Sequence, residues 1–150
     1  MKSITSNWFE CQIVYDKTKD DGTTKKVTET YTVDALTFTE AESKIIEEMK
    51  PYISGEFNIK NINPAPYKEI FFSENDKDDR WYKVKIAFIA FDEKTHQEKE
   101  TKVTYLVQGD KADKASSYIN EIMNKAIFDY RIIGNTETKI IDVFKHESHE

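Results

Sequence analysis

The sequence predicts an α+β fold of two tandem β-β-α-β-β repeats, each with one helix on mainly antiparallel sheet, the halves in a pseudo-twofold arrangement. Three observations carry this. Residues 8–15 and 81–91 alternate apolar and polar side chains, the period of a half-buried strand. Residues 37–53 and 110–127 place apolar side chains at helical spacing behind acidic first turns. The chain also aligns with itself. Trp8, Phe9, Cys11, Ile13 and Tyr15 fall on Trp81, Tyr82, Val84, Ile86 and Phe88 at an offset of 73, and Phe57 and Ile59 return as Tyr130 and Ile132. Tyr31, Val33, Ala41 and Met49 fall on Tyr105, Val107, Ala115 and Met123 at 74.

The elements follow in order. Phe9, Cys11, Ile13 and Tyr15 share one face of the first strand. Residues 16–24, with Asp-Asp-Gly inside, read as a hairpin loop, and 25–33 return as the second strand. Thr37 or Thr39 can cap the helix, since each has a glutamate three residues on, the capping-box spacing. Ala41, Ile45, Ile46, Met49 and Ile53 form its apolar stripe, and Pro51 should end it near Lys50. Strands at 56–62 and 67–72 flank Asn63-Pro64-Ala65-Pro66, a stiff extended turn. The plan then restarts: a strand at 81–91, a charged loop over 92–100, and a strand at 102–107. A second helix follows with Asp110 as its expected cap, and its buried stripe is Ala115, Tyr118, Ile119, Ile122, Met123, Ala126 and Ile127. Strands at 130–133 and 139–144 close the plan.

These boundaries give a first repeat at 6–72, an acidic linker at 73–79, a second repeat at 80–144 and a polar tail at 145–150. One repeat alone would bury little surface, so the two are expected to form one compact unit.

Composition narrows the function. A formal net charge of −6 with only two arginines, Arg80 and Arg131, disfavours a strong sequence-independent grip on nucleic acid. A single cysteine excludes an internal disulfide and a cysteine-cluster metal site. No apolar run reaches signal-peptide or membrane-span length, so the expectation is a soluble cytoplasmic protein with no membrane partner. Four glycines and no phosphate-loop or nucleophile-elbow motif leave no cofactor to propose.

Candidate residues are weighed against plainer roles. Cys11 alternates with Phe9 and Ile13, so it reads as a core thiol rather than a nucleophile. His146 and His149 have the spacing of two metal ligands but sit in a terminal tail, and no metal site is assigned; His96 reads as a loop histidine. Asp34, Asp110 and Asp113 at the strand–helix junctions read first as ordinary helix-start acids. The candidate binding face is Trp8, Trp81, Lys83 and Lys85, on the outer faces of the first strand of each half. Either the tryptophans are buried between the halves, or this face binds a partner.

Asn7-Trp8-Phe9-Glu10-Cys11, the run Lys25–Glu29, the run Val33–Glu42, Ser54-Gly55-Glu56-Phe57 and the run Asp79–Lys83 resemble a conserved family of domains of unknown function. The resemblance spans Ser6 to Phe144. It implies a family common in Bacteroidetes and their phages and mobile elements, and a cytoplasmic setting. It brings no catalytic residues, and the tail lies outside it.

The function expected is that of a non-catalytic accessory or binding protein acting through protein–protein contacts, including a homodimer. The alternative is a single-stranded nucleic-acid-binding protein that stacks bases on the tryptophans and meets phosphates with Lys83 and Lys85. A third reading is a small enzyme using Asp34, Asp110 and Asp113.

Overall fold

The computed structural model describes residues 1–126 and 129–145. Ile127, expected on the second helix's stripe, and the His146/His149 pair lie outside the described residues.

The alternation of the first strands is obeyed. β1 (Lys2–Ile4) is a short strand with no periodic signal. β2 (Trp8–Thr18) turns Phe9, Cys11 and Ile13 to one face. β3 (Thr24–Asp34) pairs with it antiparallel, with Tyr31 opposite Cys11 and Val33 opposite Phe9. The hairpin between them turns on Gly22, whose φ of +84° L side chains rarely adopt.

α1 (Phe38–Met49) starts from Thr37. The Thr37 Oγ1 accepts from the Glu40 amide at 3.1 Å, and the Glu40 carboxylate accepts from the Leu36 amide at 3.1 Å. This reciprocal pair selects Thr37 over Thr39, with the return bond one residue farther out than in the standard box. Ala41, Ile45 and Met49 are buried on Phe9, Cys11, Ile13, Tyr31 and Val33. Fully burying an isoleucine such as Ile45 contributes about 1.5–3 kcal/mol. β4 (Phe57–Pro64) pairs antiparallel with the other edge of β2.

β6 (Arg80–Asp92) and β7 (Gln97–Gly109) form the second long hairpin. The charged loop expected over 92–100 shrinks to residues 93–96, with His96 at a φ of 55°. Both strands run on as a ribbon whose residues 97–100 are all exposed, and a run of uniformly polar residues carries no hydropathic alternation to read. α2 (Ala112–Asn124) buries Ala115, Ile119 and Met123 on Tyr82, Val84, Ile86, Tyr105 and Val107. Its N-cap is Lys111, not Asp110, and no side chain caps the first turn. Asp110 lies one residue too early. β8 (Asp129–Glu137) pairs antiparallel with β6.

The remaining strands cross over. β5 (Tyr67–Phe72) runs parallel to β7 and antiparallel to β1, while β9 (Ile140–Phe144) runs parallel to β3. The sheets are therefore mixed: β1-β5-β7-β6-β8, and β4-β2-β3-β9. The chain divides into two compact units. The α1 unit is Ser6–Pro66 with the chain from Lys139 onward, and the α2 unit is Met1–Thr5 with Tyr67–Thr138. Each unit receives its parallel strand from the other half of the sequence. No helix among the described residues is long and apolar enough to cross a membrane.

Candidate functional site

Trp81, Lys83 and Lys85 do share a face of β6, opposite Tyr82, Val84 and Ile86. Trp81 is 2% exposed and meets the Phe72 ring edge-on at 5.4 Å. Lys83 is half-buried with its Nζ 5.9 Å from the Tyr67 ring centroid, and Lys85 is exposed. In the α1 unit, Trp8 is 3% exposed, and its indole nitrogen is buried without a hydrogen-bond partner among the described residues. Backbone bonds give both tryptophans a second role. The Trp8 carbonyl accepts from the Ala65 amide at 2.8 Å, and the Trp81 carbonyl accepts from the Thr138 amide at 2.9 Å and its hydroxyl at 2.8 Å. Ala65 and Thr138 stand just before the chain enters β5 and β9, so each tryptophan strand holds the lead-in to a crossing strand.

Cys11 is fully buried in the α1 core. Burial, with the Glu10 charge beside it, pushes its thiol up to about 12. Asp34 accepts from the Ser6 hydroxyl, and its carbonyl accepts from Lys44 Nζ at 2.8 Å. Asp110 and Asp113 belong to the α2 unit. Asp113 is exposed in the first helical turn, and Asp110 is half-buried.

The segment 73–79, expected as a linker, contains a buried carboxylate. Asp78 accepts from the Ser73 hydroxyl at 2.5 Å and the Tyr118 hydroxyl at 2.6 Å, and pairs with Lys114 Nζ at 3.3 Å. Burial pushes its pKa up, but the bonds from Ser73, Tyr118 and Lys114 outweigh burial and hold it below the usual carboxylate range. The Ser73 amide also bonds the Gln108 side chain at 2.9 Å. This knot pins the loop to α2. One of three aspartates in a run of seven polar residues, Asp78 gave no sign of it.

Each unit has a cleft at the matching place; that of the α2 unit, about 410 Å³, is lined by Phe88, Ile89, Val103, Tyr105 and Ile122 among others. A cleft of about 370 Å³ opens at the C-terminal end of α1 beside β9, lined by Tyr15, Lys17, Glu29, Tyr31, Met49, Tyr52, Ile141, Asp142 and Phe144. The Tyr31 ring stacks on Phe144 at 5.5 Å, and its hydroxyl donates to Glu29 at 3.2 Å. Burial, then the Glu29 hydrogen bond, raises Tyr15 to about 12; burial, then the Glu29 charge, raises Tyr31. At the rim, Tyr52 is 75% and Ile141 48% exposed. Leu36 and Phe38, at the other end of α1, are 75% and 54% exposed.

Of these, Phe38 packs edge-on against the buried Phe9 ring at 5.1 Å and so also serves the α1 core. At the same offsets the α2 unit has Ala126 for Tyr52, Lys68 for Ile141, Asp110 for Leu36 and Ala112 for Phe38. The correspondence is structural as well: the Tyr52 amide bonds the Met49 carbonyl, and the Ala126 amide bonds the Met123 carbonyl, both at 3.0 Å. The α2 unit has exposed apolar residues of its own, Met1, Phe91 and Ile133, the last two matched by Thr18 and Lys60 in the α1 unit, but none of them shares a cleft rim with another. The sequence-based reading missed Tyr52 and Ile141. Comparing the halves for where they differ, rather than where they agree, would have found them.

A comparison with known families matches residues 7–146 to a domain of unknown function, DUF4494. Neither the curated proteins nor the solved structures compared contain a match.

Proposed function

The chain belongs to the DUF4494 family of domains of unknown function, and from that premise we propose that it is a non-catalytic binding protein acting through protein–protein contacts, with a second copy of itself as its first partner. The observation that carries this reading is the pair Tyr52 and Ile141, exposed together at the rim of one cleft where the matching cleft of the α2 unit has Ala126 and Lys68. Exposed apolar groups that lie together at one place mark contact surfaces. Tyr15 and Phe144 lie inside the same cleft. That gives an aromatic anchor point of the kind that dominates protein interfaces.

No observation favours the other two readings. Base stacking needs an open indole face, and both tryptophans are buried. For acid–base chemistry the junction carboxylates would have to converge on one pocket. Asp34 is bonded by the Ser6 hydroxyl instead, and Asp113 is exposed in the first turn of α2.

Within this proposal the chain is two β-β-α-β-β repeats. Matching registers support it: Asp142 pairs with Tyr31 as Glu69 pairs with Tyr105, and Phe144 pairs with Val33 as Phe71 pairs with Val107. The setting proposed, on the resemblance alone, is the cytoplasm of Bacteroidetes or of cells carrying their phages and mobile elements. The test is the double substitution Tyr52→Lys with Ile141→Lys. It should abolish self-association and leave the melting temperature within a few degrees of wild type; unchanged self-association would refute the surface.

A further inference from the structure

We propose that β9 is an exchangeable strand: two copies of the chain form a dimer in which β9 of each completes the β3 edge of the other. This rests on the self-association reading: the exposed Tyr52 and Ile141 surface brings two copies together, and strand exchange is the mode in which they then join.

The acceptor slot comes first. Without β9, β3 of the α1 unit would leave one edge of its ladder unpaired, and unpaired strand edges recruit other strands. The slot is defined chemically. Ile140 and Val143 are buried, Asp142 lies beside Tyr31, and Phe144 stacks on Tyr31. β5 shows that the slot reads a pattern rather than a unique segment. Tyr67, Glu69, Ile70 and Phe71 occupy the corresponding places on β7, and both parallel pairs carry a register shift at the same point, before the acid. The chain already fills each unit's slot with a strand from its other half. A strand delivered by a second copy would make the same contacts, which is why exchange of identical elements is a low-cost route to dimers.

The geometry singles out β9 over β5. β9 is an edge strand, so releasing it breaks one ladder, whereas β5 lies between β1 and β7. It is joined to β8 by Thr138 and Lys139 alone, a connection too short to form a loop of its own. Short hinges of this kind favour exchange between chains.

The test uses full chains carrying Cys11→Ala, so that no native thiol remains. Thr32 and Val143 are partners across the β3–β9 ladder. Thr32 suits substitution because its hydroxyl is buried with no hydrogen-bond partner among the described residues. One chain carries Thr32→Cys and another Val143→Cys. The two are unfolded, mixed at high concentration and refolded with oxidised glutathione. A control chain carrying both cysteines reports whether the pair can close a disulfide at all. The expected result is a covalent heterodimer, seen on non-reducing gels, from the mixed refolding. If the control closes its internal disulfide and the mixture yields no linked dimer, the exchange is refuted. A dimer by light scattering without the link then leaves self-association standing through another surface; a monomer removes self-association as well.

Discussion

The Tyr118 hydroxyl donates a 2.6 Å hydrogen bond to the buried carboxylate of Asp78, forty residues earlier in the chain. With Ser73 and Lys114 it turns a polar connecting segment into a fixed loop. Asp78→Asn should therefore destabilise the protein by about 1–3 kcal/mol, because hydrogen bonds to a charged group are weakened and their donors are left in a buried site. Tyr118→Phe should cost less, about 1–2 kcal/mol. The pH dependence follows from a carboxyl held below its ordinary value in the folded state. Its contribution is complete above the unfolded pKa of about 3.9 and is lost as pH falls through the lower folded value. Urea denaturation at pH 7 and in acid checks this: the gap between wild type and Asp78→Asn should narrow only in acid. Equal stability at pH 7 would show that the knot contributes nothing.

Cys11 is predicted to be silent toward a thiol reagent at pH 8 in the folded protein and to react within seconds of unfolding. Its burial and a pKa near 12 both suppress the thiolate. Rapid reaction in native buffer would place the thiol outside the core.

The two helix starts predict opposite responses. Thr37→Ala removes a side-chain cap and should cost about 1 kcal/mol. Lys111→Ser adds one where none exists, on an N-cap backbone already at φ −147°, ψ 158°, and should add about 0.5–1 kcal/mol. Thermal melts of the two single variants decide the point; a loss from Lys111→Ser would mean that its side chain has another role.

Tryptophan emission should be blue-shifted and poorly quenched by acrylamide, and short single-stranded oligonucleotides should not change it, since Trp8 and Trp81 are both buried. Saturable, salt-sensitive quenching by an oligonucleotide would restore the stacking reading.

How far the sequence spoke depended on whether a feature leaves a periodic trace. Cys11, Ile13, Ile45, Val84 and Ile119 announce their faces by spacing, and all are buried. The α+β class follows from them. The crossing of β5 and β9 leaves no such trace, because a strand's alternation states which face is buried and not which sheet it joins. The same holds for parallel pairing, for β1, and for the charged start of β7, where both faces meet water. Asp110 failed as a cap by one residue, within the usual uncertainty of helix ends. At the candidate face, the shared side of Trp81, Lys83 and Lys85 was legible; that the indole is covered was not, because burial of that face depends on tertiary packing. Tyr52 lay beside the apolar stripe that ends at Ile53 and not on it, so the spacing that marked the core passed it by.

The central claim is that the α1 surface brings two copies together, and sedimentation velocity over a wide concentration range tests it most directly. The account predicts that wild type shifts with concentration toward twice the chain mass, while the Tyr52→Lys, Ile141→Lys variant stays at the mass of one chain with an unchanged melting temperature. A wild-type protein that sediments as a single chain at every concentration would contradict it.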